Sequence, residues 1–516
     1  MIRQFAMLTS CLVCSTQVLG QVSVELAAER WFAVSTPSFE ILSQRSRANT
    51  EAQARALEAW REAAAQILSP ALTVGPDPIP NYVYLFDNDD DYRQFAEGQD
   101  SAYLYSSPRS NFIALSDARS AQDLAEHHYA HFLINNRPIG LPRWFEEGMA
   151  HYLSRVRVED EQVTLLALAR EQYELVLEVN DVLSLEEILY DNAALASPRL
   201  VQLANLKSGL FVHFLQHAHE YEGFTDRRQQ LQQYLGHLQQ SRAERFAYDQ
   251  SFDVSLAVLE NEFDRFLQLL SQTREDERSL FASMAVAEFT PEQAPRSQVT
   301  LHLGELALHA GRFELSAAYF SALMQEVDAP GRAWSGQADA LRMGMGEEGD
   351  VAPEVEPLYQ QAQTAQPDDY QLYLDYGQFL DTELKDCDAS YSPPQREQML
   401  QLMREQFARA LALNPESPEV QLSYAQLYSL PGADWRQGVP YHERALSRLA
   451  ADSFVLEQAV DYAILADRLA DARRLVERMA RPMHFWGEHP WISALNGKLQ
   501  AAERGQRWDA CADAGR

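Results

Sequence analysis

His127 and His131 stand four residues apart in "AEHHYAHFLINN", the spacing of two metal ligands on one helix face. At about 100° per residue the two side chains lie about 40° apart, so both rings can reach one cation. Sixteen residues after His131, "PRWFEEGMAHY" offers Glu147 on what the pattern predicts to be a second helix. Gly148 and Ala150 beside it are small, which should let that helix pack against the first. Two imidazoles and a carboxylate make a three-ligand set with an open fourth position, the arrangement in which zinc activates water for hydrolysis. A chain with thirteen histidines can produce one such pair by accident. The carboxylate that follows gives this pair its meaning.

The lead-in to these residues alternates strands and helices. "WFAVSTPSFEILS" reads as a strand or hairpin, and residues 48–68, rich in Ala, Glu and Arg, as a surface helix. "NYVYLF" is a short buried strand, and "DNDDDYRQFAEG" carries acids at a helix start and Gly at its end. "AYLYSS" and "NFIALSD" read as strands joined by a turn at Pro108, leading into a helix at about 119–134 that holds the histidines. Residues 155–280 look mainly helical, and "EFTPEQAPRS" (288–297) reads as a domain boundary. Beyond it, helix pairs recur. "QFARALALNP" sets Phe407, Ala410 and Pro415 at the offsets that Tyr359, Ala362 and Pro367 occupy in "LYQQAQTAQP". Leu303, Gly304, Gly311 and Phe320 supply another unit, and His442 with Ala445 a degenerate one. The anchors at 320, 359, 407 and 442 are 39, 48 and 35 residues apart, so insertions are expected near "GMGEEGD" and "KDCDASYSPP".

The strand-helix-strand lead-in, the His-x-x-x-His helix and the Trp-Phe-x-Glu-Gly helix resemble the gluzincin metallopeptidases. With the repeats, whose offsets resemble the tetratricopeptide repeat, the chain looks most like bacterial peptidase-MA-like proteins that join such a domain to these repeats. The resemblance implies an α+β zincin-like metallopeptidase domain over 21–285, followed by an all-α tetratricopeptide-repeat solenoid over 298–516. It implies zinc as cofactor, held by His127, His131 and Glu147, and a protein or peptide partner for the repeats. Glu147 is preferred to Glu146 because the family's ligand immediately precedes the Gly.

The family places Glu directly after the first His, and this chain has His128 there. That position lies about 60° beyond the second ligand on the helix and flanks the attacking water. Proton transfer by Glu is worth roughly 10²–10⁴-fold. An imidazole accepting the proton would become a cation beside a dication, which depresses its value as a base. Ordinary peptidase activity is therefore expected to be impaired, with an active zinc peptidase using a replacement base as the alternative. A third reading makes the front domain a scaffold and assigns function to the repeats. His151, where relatives often carry a carboxylate four residues after the Glu ligand, is a candidate fourth ligand or an orienting group for a first ligand. His213 and His217 also have ligand spacing, but no acid or cysteine is phased with them; Tyr129 and Phe132 are expected in the core.

Composition sets the outer limits. At 516 residues the chain should hold two or three domains. A net charge of −32 argues against nucleic acid and against anionic membrane surfaces. Residues 1–20 have the layout of a signal peptide cut after Gly20, predicting a periplasmic or secreted protein without a transmembrane span once it is removed. "LTSC" at Cys11 leaves a lipid anchor as the minority option, and only Cys387 and Cys511 would remain to pair. No Gly-x-Ser-x-Gly elbow, P-loop or Gly-x-Gly-x-x-Gly fingerprint occurs.

Overall fold

The computed structural model describes residues 24–506, apart from 70–71, 73, 97, 136–139, 179–182, 192–194, 241, 274–276, 283–286, 345–351, 387–390, 431 and 482–489. The expected signal peptide with Cys11, and both Cys387 and Cys511, lie outside the described residues.

Five strands come from the lead-in: β1 (Phe32–Ser35), β2 (Glu40–Ser43), β3 (Asn81–Leu85), β4 (Ala102–Ser106) and β5 (Asn111–Leu115). β1 and β2 form the expected hairpin, with Ser35 opposite Glu40. β2, β3 and β5 run parallel, and β4 is antiparallel to β5. Because strand side chains alternate, two faces must be covered. Ile41, Val83, Leu85, Ile113 and Leu115 pack under the helices Arg47–Leu68 and Ala121–Asn135. Leu42, Tyr84, Phe86, Phe112 and Ala114 face the other way, and Leu303, Leu306 and Tyr319 of the first two repeat helices cover them. The first helix pair beyond residue 295 is thus the sheet's third layer. The segment read as a boundary adds a strand: Glu292–Gln293 pairs antiparallel with β1 at the sheet edge.

Residues 155–280 are not only helical. β6 (Val156–Glu159), β7 (Gln162–Leu166) and β8 (Glu277–Ala282) form a three-stranded antiparallel sheet, and Glu292–Gln293 is then β9. The β6–β7 hairpin closes through Asp160 and Glu161, both at positive φ (48° and 61°). Two-residue hairpin turns need this conformation, and Asn-Gly or Asp-Gly is the pair that normally announces it. Asp-Glu does not, although Val156, Val163 and Leu165 are buried as an alternating strand demands.

From Arg296–His309 to Pro490–Glu503 the described residues are helical, and consecutive helices pack on one another. Phe320, Tyr359 and Phe407 are all buried. Glycine makes room for two of them: a Cβ at Gly336 would lie 2.3 Å from the Phe320 ring, and one at Gly377 2.3 Å from the Phe407 ring. The helical part meets the sheet again in its middle, where Arg109 of the β4–β5 turn bridges Asp375 (2.6 Å) and Glu419 (2.9 Å). Near its end, Arg481 Nη1 donates to the Leu141 carbonyl at 2.6 Å. Among the described residues, no helix is long and apolar enough to cross a membrane.

Candidate metal centre

The helix Ala121–Asn135 turns Ala125, Tyr129, Phe132 and Leu133 into the core beneath the sheet. His127 and His131 share its other side, where the helix Arg143–Leu153 brings Glu147 to them. The two histidine Nε2 atoms are 3.3 Å apart. Glu147 Oε2 lies 3.9 Å from His127 Nε2 and 3.7 Å from His131 Nε2. Glu147 is fully buried, and His127 nearly so.

These distances can be compared with what a cation requires. Tetrahedral zinc with bonds of about 2.0–2.1 Å spaces its ligand atoms about 3.3 Å apart. A point equidistant from the three observed atoms lies about 2.1 Å from each, within the zinc–nitrogen and zinc–oxygen range. The residues fit a divalent metal. Among the described residues, His127, His131 and Glu147 are the one group of three or more such side chains with ligand atoms within 4.8 Å of one another. No family model, curated protein or solved structure matches this chain.

Each ligand is positioned by contacts the sequence did not announce. Arg157 of β6 pairs with Asp123 (2.5 Å) and Glu126 (3.3 Å), fixing the first half of the histidine helix. Burial pushes the Glu126 carboxyl up to about 8, against the opposing pull of Gln122 and Arg157. Glu126 thus faces Arg157 of β6 and Gln122 of its own helix. On the opposite side, the Tyr129 hydroxyl donates to Asp77 and accepts from Arg61 Nε at 3.2 Å. Its expected place in the core is correct, with a polar anchor added. The only hint in the sequence was Asp77 within the turn-rich "GPDPIPN".

Glu147 is held from a third helix. A Cβ on Gly148 would come 2.5 Å from the Ser208 carbonyl oxygen and 2.8 Å from Val212 Cγ2, so this glycine admits the helix Pro198–His217. Its expected role against the histidine helix is corrected accordingly. Gly209 on that third helix answers it, since a Cβ there would sit 2.8 Å from His151 Cβ. Trp60 Nε1 donates to the Leu153 carbonyl at 3.1 Å and ties down the far end of the Glu147 helix.

The remaining candidates fall around this core. The His128 ring lies 5.8 Å from that of His127. The His151 ring packs edge-on at 4.7 Å from the His127 ring, one turn along from Glu147. Glu146 is buried, with its carboxyl held above the ordinary range by burial, in the field of Arg481 and Arg478 from the repeats and of His131. Among the described residues, His213 and His217 belong to no group of three or more ligand-type side chains. His217 Nε2 meets the Tyr152 hydroxyl at 2.7 Å, and its Nδ1 meets Glu220 at 2.7 Å.

Proposed function

We propose that this protein is an exported metal-binding protein of gluzincin-like build, in which His128 impairs ordinary peptide hydrolysis. The observation that carries the reading is the triangle of His127 Nε2, His131 Nε2 and Glu147 Oε2, with sides of 3.3, 3.7 and 3.9 Å. A zinc ion there would act as a Lewis acid on a carbonyl and lower the pKa of water. The chain's own residues hold the site and govern its proton traffic. His127, His131 and Glu147 supply the ligands, and Arg157, Tyr129 and the Pro198–His217 helix hold them in place. His151, edge-on to His127, orients that ring or joins the ligand set. A proton moved to His128 would leave an imidazolium close to the metal, which opposes turnover. The helical repeats would carry a protein or peptide partner.

Zinc content and peptide hydrolysis of the purified protein test this together. The natural protein should bind about one zinc, and His127→Ala should abolish binding. Hydrolysis of unstructured peptides should be slow, and His128→Glu should raise it on the order of 10²-fold if the cleft is otherwise intact. Efficient hydrolysis by the natural protein, unchanged or lowered in His128→Glu, would establish the active peptidase with a replacement base.

A further inference from the structure

Behind the Glu147 helix, at the junction of β7, β8 and the helices Arg170–Glu178, Pro198–His217 and Leu256–Gln272, lies a cavity of about 50 Å³. Leu165, Tyr173, His213, Leu270 and Arg278 are among its walls. His213 is 5% exposed, and neither of its ring nitrogens meets a protein partner. Buried polar atoms are nearly always satisfied, so such a side chain calls for a ligand or ordered water.

The charges around it have one sign to spare. Arg155 enters from the turn after the Glu147 helix and donates through Nη1 to the carbonyl of Leu166, a wall residue, at 3.2 Å. Its Nη2 is shut off from solvent without a hydrogen-bond partner, and the groups that favour its charge are Tyr173 and Tyr152 rather than a carboxylate. Its guanidinium carbon lies 5.9 Å over the Tyr152 ring. Arg278 is answered by Glu220 at 2.6 Å, which also takes His217. At the rim, Arg170 is paired with Glu174, while Glu277 is exposed to water. Arg155 is the cation left over. Burial and the neighbouring Arg155, His217 and Arg278 hold His213 well below the ordinary histidine range, so its ring is neutral and keeps one N–H to donate.

We propose that this cavity is a binding site for a small oxyanion of the carboxylate or phosphate class, held by His213 and Arg278 with Arg155 supplying the balancing charge. A site for one water needs about 10–15 Å³ by this measure, so the cavity has room for the three to five heavy atoms of such a group. The lining fits an anion better than a metal, since the charged groups acting on the deep His213 ring are Arg155, His217 and Arg278, and the one carboxylate in the wall, Glu277, is exposed to water. The site is separate from the metal centre and stands or falls independently of it.

The test is calorimetric titration of the full-length protein with inorganic phosphate and, separately, acetate, at constant ionic strength in chloride. Saturable binding of one or both is expected, and which probe binds more tightly identifies the class. Arg155→Met and His213→Leu should each weaken it at least about tenfold, as loss of a charged or buried hydrogen-bonding group does. His127→Ala, which removes any anion binding at the metal centre, should retain the saturable binding that Arg155→Met and His213→Leu weaken. Should either cavity variant fail to fold, crystals of the natural protein soaked in selenate should show an anomalous peak between His213 and Arg278. Absence of saturable binding by either probe, loss of binding in His127→Ala, unaltered binding in both cavity variants, or a soaked cavity without the peak would each overturn the proposal.

Discussion

Gly148→Ala isolates the helix contact that sets the position of Glu147. The added Cβ would lie 2.5 Å from a backbone oxygen and 2.8 Å from Val212 Cγ2, whereas real Cβ contacts essentially never fall below 3.0 Å. The oxygen belongs to a helix carbonyl, so no side-chain rotation relieves the clash. The Glu147 helix must retreat by at least about half an ångström, which exceeds the roughly 0.2 Å tolerance of metal–ligand distances. Overpacking of this kind costs about 1–3 kcal/mol, offset by the roughly 1 kcal/mol that alanine gains over glycine inside a helix. The net effect on folding is therefore small, and the larger effect falls on the metal. Zinc affinity should drop about 10–100-fold, as when a group supporting a ligand is lost. Competition against a chromophoric chelator reads this directly, and thermal denaturation of the metal-free protein monitors folding. An unchanged zinc affinity in a folded Gly148→Ala protein would refute the claim that this helix contact positions the ligand.

Arg109→Met should destabilise the protein by about 3 kcal/mol, because it leaves Asp375 and Glu419 as buried, uncompensated carboxylates. Hydrogen exchange should rise in Tyr370–Lys385 and Pro418–Gln426, and calorimetric stability within about 0.5 kcal/mol of the natural protein would contradict it. His309, 4.2 Å from the Phe112 ring, has its pKa lowered to about 4 by burial and by Arg109. Its neutral form is favoured on folding, so its contribution is complete above pH 6.5 and is lost as pH falls towards 4, up to about 3 kcal/mol. Raised groups such as Glu126 act in the opposite direction over part of this range, so the readout is the difference between the natural and His309→Gln stability curves. A constant difference between pH 7 and 4 would remove His309 from the account.

The parts of this molecule that were legible are those written locally. An i, i+4 histidine pair needs only a helix to bring two rings to one side, and the recurring aromatic-alanine-proline offsets mark the faces that bury Tyr359 and Phe407. The choice of Glu147 over Glu146 came only from the resemblance, in which the ligand immediately precedes a Gly. What was illegible depends on distant chain. The partner of Gly148 is Ser208, sixty residues on, and no local pattern distinguishes it from the histidine helix. β6 and β7 were hidden because Asp160 and Glu161 adopt a backbone that their side chains do not favour. The covering of the sheet by Leu303, Leu306 and Tyr319 could not be read, since an amphipathic helix advertises an apolar face without naming what it meets.

That covering bears on how the chain can be made. Domains generally complete themselves in order as they leave the ribosome. Here Tyr84, Phe86 and Phe112 await partners more than 180 residues downstream, and the free edge of β1 awaits Glu292 and Gln293. The front half therefore emerges as an unfinished layer, with an apolar surface and a strand edge both open to association. It closes only when residues through Tyr319 have been synthesised. The proline-marked seam in the sequence is consequently a poor place to cut, and neither half is a module that could be exchanged on its own.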